Sequence, residues 1–144
     1  MHLFAVALLS LASGALAHPN TGETSVVVVL KRASCSVCAT QLRTLAQAEL
    51  GVPLMGITHD PKEAAAKVAT VTGVPTYSHA AGIESMGLWL PERGMAQPAV
   101  VVYDRCGAEA GRIVGRAPGV DVTQQVRELV AEARTAQCDE KPVS

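Results

Sequence analysis

Aromatic residues are scarce in this sequence, and its net charge is close to zero. Only 3% of the 144 residues are aromatic, with one tryptophan among them, and the formal net charge is −1 at pH 7. The near-zero charge argues against the basic surface that nucleic acids and anionic membranes attract, so neither is an expected partner. Since alanine and valine are abundant instead, we expect a core of small aliphatic side chains.

Long apolar runs are also absent from the sequence. After the N-terminal segment, no stretch reaches the length of about 20 apolar residues that spans a bilayer. Residues 1–17 contain a short apolar run that ends in Ala15-Leu16-Ala17, a small-x-small cleavage site before His18. We interpret residues 1–17 as a secretory signal peptide; the alternative is an apolar first element of the domain. The mature chain is then expected to be soluble and to lie outside the cytoplasm, secreted or periplasmic, where disulfides persist.

The rest of the chain has the length of one ordinary domain, without repeats or low-complexity linkers. We assign residues 18–25 to a short N-terminal segment, residues 26–138 to a single domain and residues 139–144 to a C-terminal tail.

Strands and helices alternate along this domain. Val26–Leu30 is a continuous apolar run, typical of a strand buried on both faces. The pattern further predicts strands at 52–57, 99–103 and around 112–114, helices at 38–50, 62–72 and 121–136, a short extended piece at 74–77, and a short helix or turn at 82–90. Asp60 and Pro61 are expected at the N-cap and first position of the second helix. The order β-α-β-α-β-β-α predicts an α/β fold with a mixed sheet.

The most informative motif is Cys35-Ser36-Val37-Cys38, which follows the first strand and opens the first helix. Functional sites of such sheets gather at the carboxyl ends of parallel strands. At a helix start, the N–H groups and the dipole favour a thiolate at Cys35. Cys35 can then attack a disulfide while Cys38 resolves the mixed intermediate. Two other interpretations are an inert structural disulfide and a zinc site completed by Cys106 and Cys138.

The element order, the CxxC at the first helix and Pro98 before the third core strand together resemble the thioredoxin-like superfamily. More narrowly, the chain resembles its redoxin branch, which holds TlpA-like thiol-disulfide oxidoreductases and peroxiredoxins of the alkyl hydroperoxide reductase/thiol-specific antioxidant type. The matching stretches are Val26–Leu30, Ser34–Leu42, Gly51–Asp60 and Gln97–Gly107. The resemblance implies a central mixed sheet flanked by helices.

The oxidoreductase branch implies that protein thiols or disulfides, or a small-thiol reductant, are the partners, and that no cofactor is needed. Gln97 and Pro98 would bind the substrate chain, with Pro98 in the cis form opposite the CxxC. The buried acid that thioredoxins carry six positions before the first cysteine is Val29 here. His59 and Asp60, at the end of strand two, are therefore the candidates for a proton relay to Cys38.

The peroxiredoxin branch implies a different chemistry, a thiol peroxidase with an antioxidant role. Val37–Leu42 is similar to the peroxiredoxin helix start, which would make Cys38 the peroxidatic residue. That family places a Thr or Ser three positions before this cysteine and a Pro seven positions before it, where this chain has Cys35 and Lys31. We therefore favour disulfide exchange over peroxide reduction. A third alternative is a redox-inactive binding module that holds a partner chain in the Pro98 groove.

Cys106 and Cys138 invite a separate interpretation. In the expected fold, strand three runs antiparallel to strand one, so its end near Cys106 lies opposite the CxxC. The last helix runs away from the CxxC, which brings its end near Cys138 to the same place. We therefore predict a structural disulfide between Cys106 and Cys138.

Overall fold

The described part of the chain comprises residues 22–30, 32–78, 99–114 and 121–138 of a computed structural model. These residues form β1 (Ser25–Leu30), α1 (Ser36–Gln47), β2 (Leu54–Thr58), α2 (Lys62–Thr72), β3 (Thr76–Ser78), β4 (Ala99–Tyr103), β5 (Glu109–Val114) and α3 (Thr123–Arg134). The α/β class predicted from the sequence is confirmed. The observed order has one more strand than predicted, because the short extended piece pairs with β2 as β3.

The five strands form one mixed sheet in the order β3-β2-β1-β4-β5. β2 is parallel to β1 and β3, whereas β4 is antiparallel to β1 and β5. The β1–β4 register pairs Val29 with Ala99 and Ser25 with Tyr103. The carboxyl ends of β1 and β2 and the start of β4 therefore share one edge of the sheet, which we call the CxxC pole. The end of β4 lies at the opposite pole.

The three helices of the described ranges pack on one face of the sheet. Successive side chains of a strand point to opposite faces, so Val26, Val28 and Leu30 of β1 face the helices. Their buried partners are Cys38, Leu42 and Leu45 of α1, Val68 of α2, and Val126, Val130 and Ala133 of α3. Val27 and Val29 belong to a second buried cluster on the other face, together with Met55, Ile57, Ala99, Val101 and Tyr103. The core is thus built mainly from small aliphatic side chains.

The ends of all three described helices differ from the sequence prediction. α1 begins at Ser36 rather than Cys38, and α3 spans Thr123–Arg134 rather than 121–136. α1 ends at Gln47 rather than Leu50, because Glu49 takes a left-handed conformation with φ 51°. The prediction that Asp60 caps α2 is wrong. Pro61 holds the N-cap position without a side-chain hydrogen bond, and Lys62 is the first helical residue. Asp60 is drawn away from the helix because its carboxylate binds a backbone N–H of another loop.

Side chains from α3 fasten this helix to the loop between α1 and β2. Arg127 donates to the carbonyl of Ala48 at 2.8 Å, and Arg134 donates to the carbonyl of Gly51 at 2.9 Å. Within the described ranges, no helix has the length and apolar character needed to cross a bilayer. The predicted signal peptide, the predicted short helix or turn at 82–90 and the tail at 139–144 lie outside the described residues.

Candidate functional site

A disulfide joins Cys35 and Cys38 at the start of α1, with their Cα atoms 5.2 Å apart. Cys35 is the N-cap residue, with an extended backbone of φ −68° and ψ 102°. Its sulfur accepts a hydrogen bond from the Cys38 N–H at 3.1 Å, and its carbonyl accepts one from the Ala39 N–H at 3.0 Å. The Cys35 sulfur therefore occupies the place where a helix presents unpaired N–H groups.

The two sulfur-bearing residues differ in their exposure. Cys35 is half-buried, whereas Cys38 is 0% exposed and packs in the core cluster with Leu42. An incoming thiolate can therefore reach Cys35 but not Cys38. When the disulfide opens, negative charge on the Cys35 sulfur is stabilised by the N–H groups and the dipole of α1.

A tight turn precedes the cysteine pair. The Cys35 N–H donates to the Arg32 carbonyl at 3.1 Å, which closes a four-residue turn. The Ala33 N–H in this turn donates to Oδ2 of Asp60 at 2.7 Å. The backbone N–H of Asp60 in turn donates to Oγ1 of Thr58 at 3.2 Å. The loop after β2 thus holds the loop after β1.

These contacts involve two residues that the sequence analysis missed, Ala33 and Thr58. A threonine two positions before an aspartate at a strand end is typical of a turn in which a hydroxyl binds a nearby backbone N–H. This pattern could have singled out Thr58. Nothing in the sequence marks Ala33, because it contributes only a backbone N–H.

Three further residues are predicted for the site, namely His59, Gln97 and Pro98. His59 is exposed and lies at the CxxC pole between Thr58 and Asp60. Gln97 and Pro98 lie outside the described residues. The residue that follows them, Ala99, begins β4 and pairs with Val29 near the end of β1.

A groove of about 310 Å³ lies between α1 and α2 beside this turn. Its lining residues are mostly apolar: Ala33, Ser34, Ala39, Asp60, Ala64, Lys67, Val68 and Val71. Val71 is 62% exposed, although it is a large apolar side chain. The groove places an apolar surface next to the backbone that leads into Cys35.

A second disulfide joins Cys106 and Cys138, with their Cα atoms 5.3 Å apart. Cys106 lies in the turn between β4 and β5, where Oδ1 of Asp104 accepts its N–H at 2.8 Å. This turn is at the opposite pole, because β4 is antiparallel to β1. The four cysteines therefore form two separate pairs at opposite poles, which contradicts the four-cysteine zinc interpretation. In the described ranges, no group of three or more His, Cys, Asp or Glu side chains is arranged to hold a metal ion.

Comparison with known proteins identifies the fold. No protein-family model matches the sequence, and no curated protein matches it either. Solved structures do match. A secreted disulfide oxidoreductase of Mycobacterium tuberculosis, homologous to E. coli DsbE, has a TM-score of 0.51 at 19% identity, over 77% of this chain and 82% of that one. The Xanthomonas campestris bacterioferritin comigratory protein, studied for alkyl peroxide reduction, has a TM-score of 0.60 at 14% identity, over 78% and 82%.

A thio-disulfide isomerase from Thermus thermophilus is also similar, with a TM-score of 0.54 at 19% identity over 78% of this chain and 80% of that one. These neighbours are thioredoxin-like redoxins, and they include enzymes of both the thiol-disulfide and the peroxide type. The chain therefore has the thioredoxin-like fold, as the resemblance in the sequence indicated. At these identities the likeness establishes the fold and not the reaction.

Proposed function

We propose that this protein is a thiol-disulfide oxidoreductase that exchanges disulfides through Cys35 and Cys38. One observation carries the proposal: the two cysteines are bonded to each other at a helix start, with Cys35 half-buried and Cys38 fully buried. This asymmetry gives Cys35 the attacking role and Cys38 the resolving role.

In the oxidising direction, a substrate thiolate attacks the Cys35 sulfur. The Cys35–Cys38 bond breaks, and its electron pair leaves with Cys38 as a thiolate. A second substrate thiolate then attacks the substrate sulfur of the mixed disulfide and releases Cys35 as a thiolate. The substrate dithiol is oxidised to a disulfide, and the enzyme pair is reduced. The reducing direction is the same sequence reversed, with the Cys35 thiolate attacking a substrate disulfide.

Proton transfer accompanies these steps because the buried Cys38 alternates between thiol and thiolate. His59 and Asp60 follow β2 at the CxxC pole, and a proton relay through either residue remains a prediction. We also propose that Gln97 and Pro98 bind the substrate chain. The position of Ala99, which pairs with Val29 beside the end of β1, supports it.

We further propose that the protein works outside the cytoplasm, with protein thiols and disulfides or a small thiol as partners. Two disulfides are what an oxidising compartment sustains, and residues 1–17 have the composition of a signal peptide. N-terminal sequencing of exported protein should begin near His18. An N-terminus that retains residues 1–17 after export would contradict the leader assignment.

Serine variants test the exchange reaction. Cys38→Ser leaves the Cys35 thiol free and should accumulate mixed disulfides with substrate, visible as adducts on non-reducing gels. Cys35→Ser should form none, because the remaining Cys38 thiol is buried. The matched control is Cys106→Ser, which leaves the exposed Cys138 thiol free away from any helix start.

The control separates specific trapping from the general reactivity of an exposed thiol. If Cys106→Ser traps as much substrate as Cys38→Ser, the proposal fails. Peroxide turnover that survives Cys35→Ser but not Cys38→Ser would instead identify a peroxidase. Full function of both active-site variants in vivo would identify a redox-inactive binding module, in which the pair is an inert disulfide.

A further inference from the structure

We propose that Asp60 is a positioning residue for Cys35, acting through the Ala33 N–H rather than as a proton acceptor. The inference rests on the proposed function, since it concerns how the attacking sulfur is held. The Asp60 carboxylate, which lies outside the CxxC motif, fixes the turn that precedes Cys35 at the start of α1.

The first step is the anchor of Asp60 on the sheet. Thr58 is fully buried at the end of β2, and it pairs with Leu30 at the end of β1. Its hydroxyl accepts the backbone N–H of Asp60 at 3.2 Å. Because Thr58 is buried and paired on both sides in the sheet, with Leu30 and with Ser78, this bond fixes where the Asp60 backbone leaves β2.

The second step is the contact of the Asp60 carboxylate with the active-site turn. Oδ2 accepts the Ala33 N–H at 2.7 Å, a short bond to a charged acceptor across 27 residues of sequence. Ala33 is the second residue of the turn that the Cys35 N–H closes on the Arg32 carbonyl. A shift of this turn would move Cys35, and with it the alignment of its sulfur with the Cys38 N–H.

The residues on either side of Ala33 contribute little to holding the turn. Arg32 and Ser34 are both exposed, so their side chains add little packing that would hold the turn in place. Ala33 is half-buried, packs against the core cluster and forms part of the groove wall together with Asp60. If the carboxylate were removed, the Ala33 N–H would lose this charged acceptor.

Two substitutions separate positioning from proton transfer. Asp60→Asn keeps an oxygen that can accept the Ala33 N–H but cannot take up a proton at neutral pH. Asp60→Ala removes both properties. A positioning role therefore predicts that Asn substitutes for Asp and Ala does not, whereas a proton relay predicts that both variants lose the relay.

The first measurement is amide hydrogen exchange at Ala33 in the full oxidised chain. We expect exchange to become about tenfold or more faster in Asp60→Ala, the fold-change of a lost charge-assisted hydrogen bond. In Asp60→Asn it should stay within about threefold of wild type. Thr58→Val, which removes the anchor and keeps the shape, should give an intermediate increase.

The second measurement is the rate of disulfide exchange at a pH above which the wild-type rate no longer increases. Misplacement of the attacking sulfur should slow Asp60→Ala about tenfold, while Asp60→Asn should stay within about threefold and keep the shape of the wild-type pH profile. Asp104→Ala is the control, because Asp104 accepts the Cys106 and Ala108 N–H groups in a turn at the opposite pole. It should leave the exchange rate unchanged.

Equal loss of rate in Asp60→Asn and Asp60→Ala would overturn the inference in favour of a proton relay. An Ala33 amide that exchanges at the wild-type rate in Asp60→Ala would overturn it outright. If Asp60→Ala does not fold, the Thr58→Val and Asp60→Asn results decide. Failure of the proposed function is a distinct result: the wild-type protein would then show no exchange activity, while the Ala33 protection would still respond to Asp60.

Discussion

Removal of the Cys106–Cys138 disulfide should lower the free energy of unfolding by about 3–4 kcal/mol. The two cysteines are 32 positions apart in sequence. Closing a loop of that length in the unfolded chain costs about 12 cal/mol/K of entropy in the chain-entropy model, which gives this figure at 25 °C. Both cysteines are exposed, so Cys106→Ala/Cys138→Ala removes little packing. The folded state should therefore change less than the unfolded state.

Urea unfolding of the double variant measures this effect. The unfolding midpoint should fall, and the m-value should rise because the uncrosslinked chain exposes more surface when it unfolds. Arg105→Ala is the matched control. Its Nε donates to the Ala136 carbonyl at 3.0 Å and ties the same two segments without a covalent bond. An exposed hydrogen bond of this kind is worth about 1 kcal/mol.

A loss of less than about 1 kcal/mol in the double variant, or one no larger than that of Arg105→Ala, would refute the predicted stabilisation by the disulfide. A loss of the expected size with an unchanged m-value would place the effect in the folded state instead. The first result would remove the basis for treating this pair as structural and the Cys35–Cys38 pair, only three positions apart, as the proposed functional one.

Two further predictions concern packing and pH. Gly56→Ala should destabilise the fold by about 1–3 kcal/mol, because the new Cβ would lie 2.9 Å from Oγ1 of Thr76 and 3.2 Å from side-chain atoms of Leu30 and Leu42. Thermal unfolding measures this loss. A second substitution, Thr76→Ala, should restore part of it. Hydrogen bonds from the hydroxyl and N–H of Thr123 lower the pKa of Asp121. A lowered folded-state pKa stabilises the protein above the unfolded value of 3.8 and ceases to do so as the pH falls through the folded value. Asp121→Asn should therefore have a slightly lower Tm than wild type at pH 7 and converge with it in acid; a difference that grows in acid would contradict this.

The fold was predictable because its determinants are local. The apolar run Val26–Leu30 marks a strand buried on both faces, and all six residues of β1 are indeed buried. The alternation of strands and helices fixes the parallel crossovers. β3 was less evident, since a three-residue strand at a sheet edge is recognisable only from its pairing with β2. Element ends were least predictable, as the conformation of Glu49 shows, because a single residue decides them.

The candidate site was predictable only as far as it consists of side chains of a known motif. Cys35 and Cys38 stand out in the sequence, and their position after the first strand places them at a carboxyl strand end. The sequence singles out Asp60 as the N-cap of α2, which is wrong, and as a candidate for a proton relay, which stays a prediction. An Asp-Pro pair before a helical pattern is a strong local signal for an N-cap, and it carries no information about a backbone N–H 27 residues away.

The position of Asp60 implies a compromise between local and long-range stability. A side-chain cap on α2 would contribute about 1 kcal/mol, yet Pro61 occupies the N-cap without one. The same carboxylate instead accepts the Ala33 N–H, two residues before Cys35. Natural chains depart from local preferences chiefly where function requires it. The missing cap on α2 therefore agrees with the positioning role that we propose for Asp60 at the CxxC pole. Asp60, rather than any residue between the two cysteines, is therefore the first position to change when testing how the pair is held.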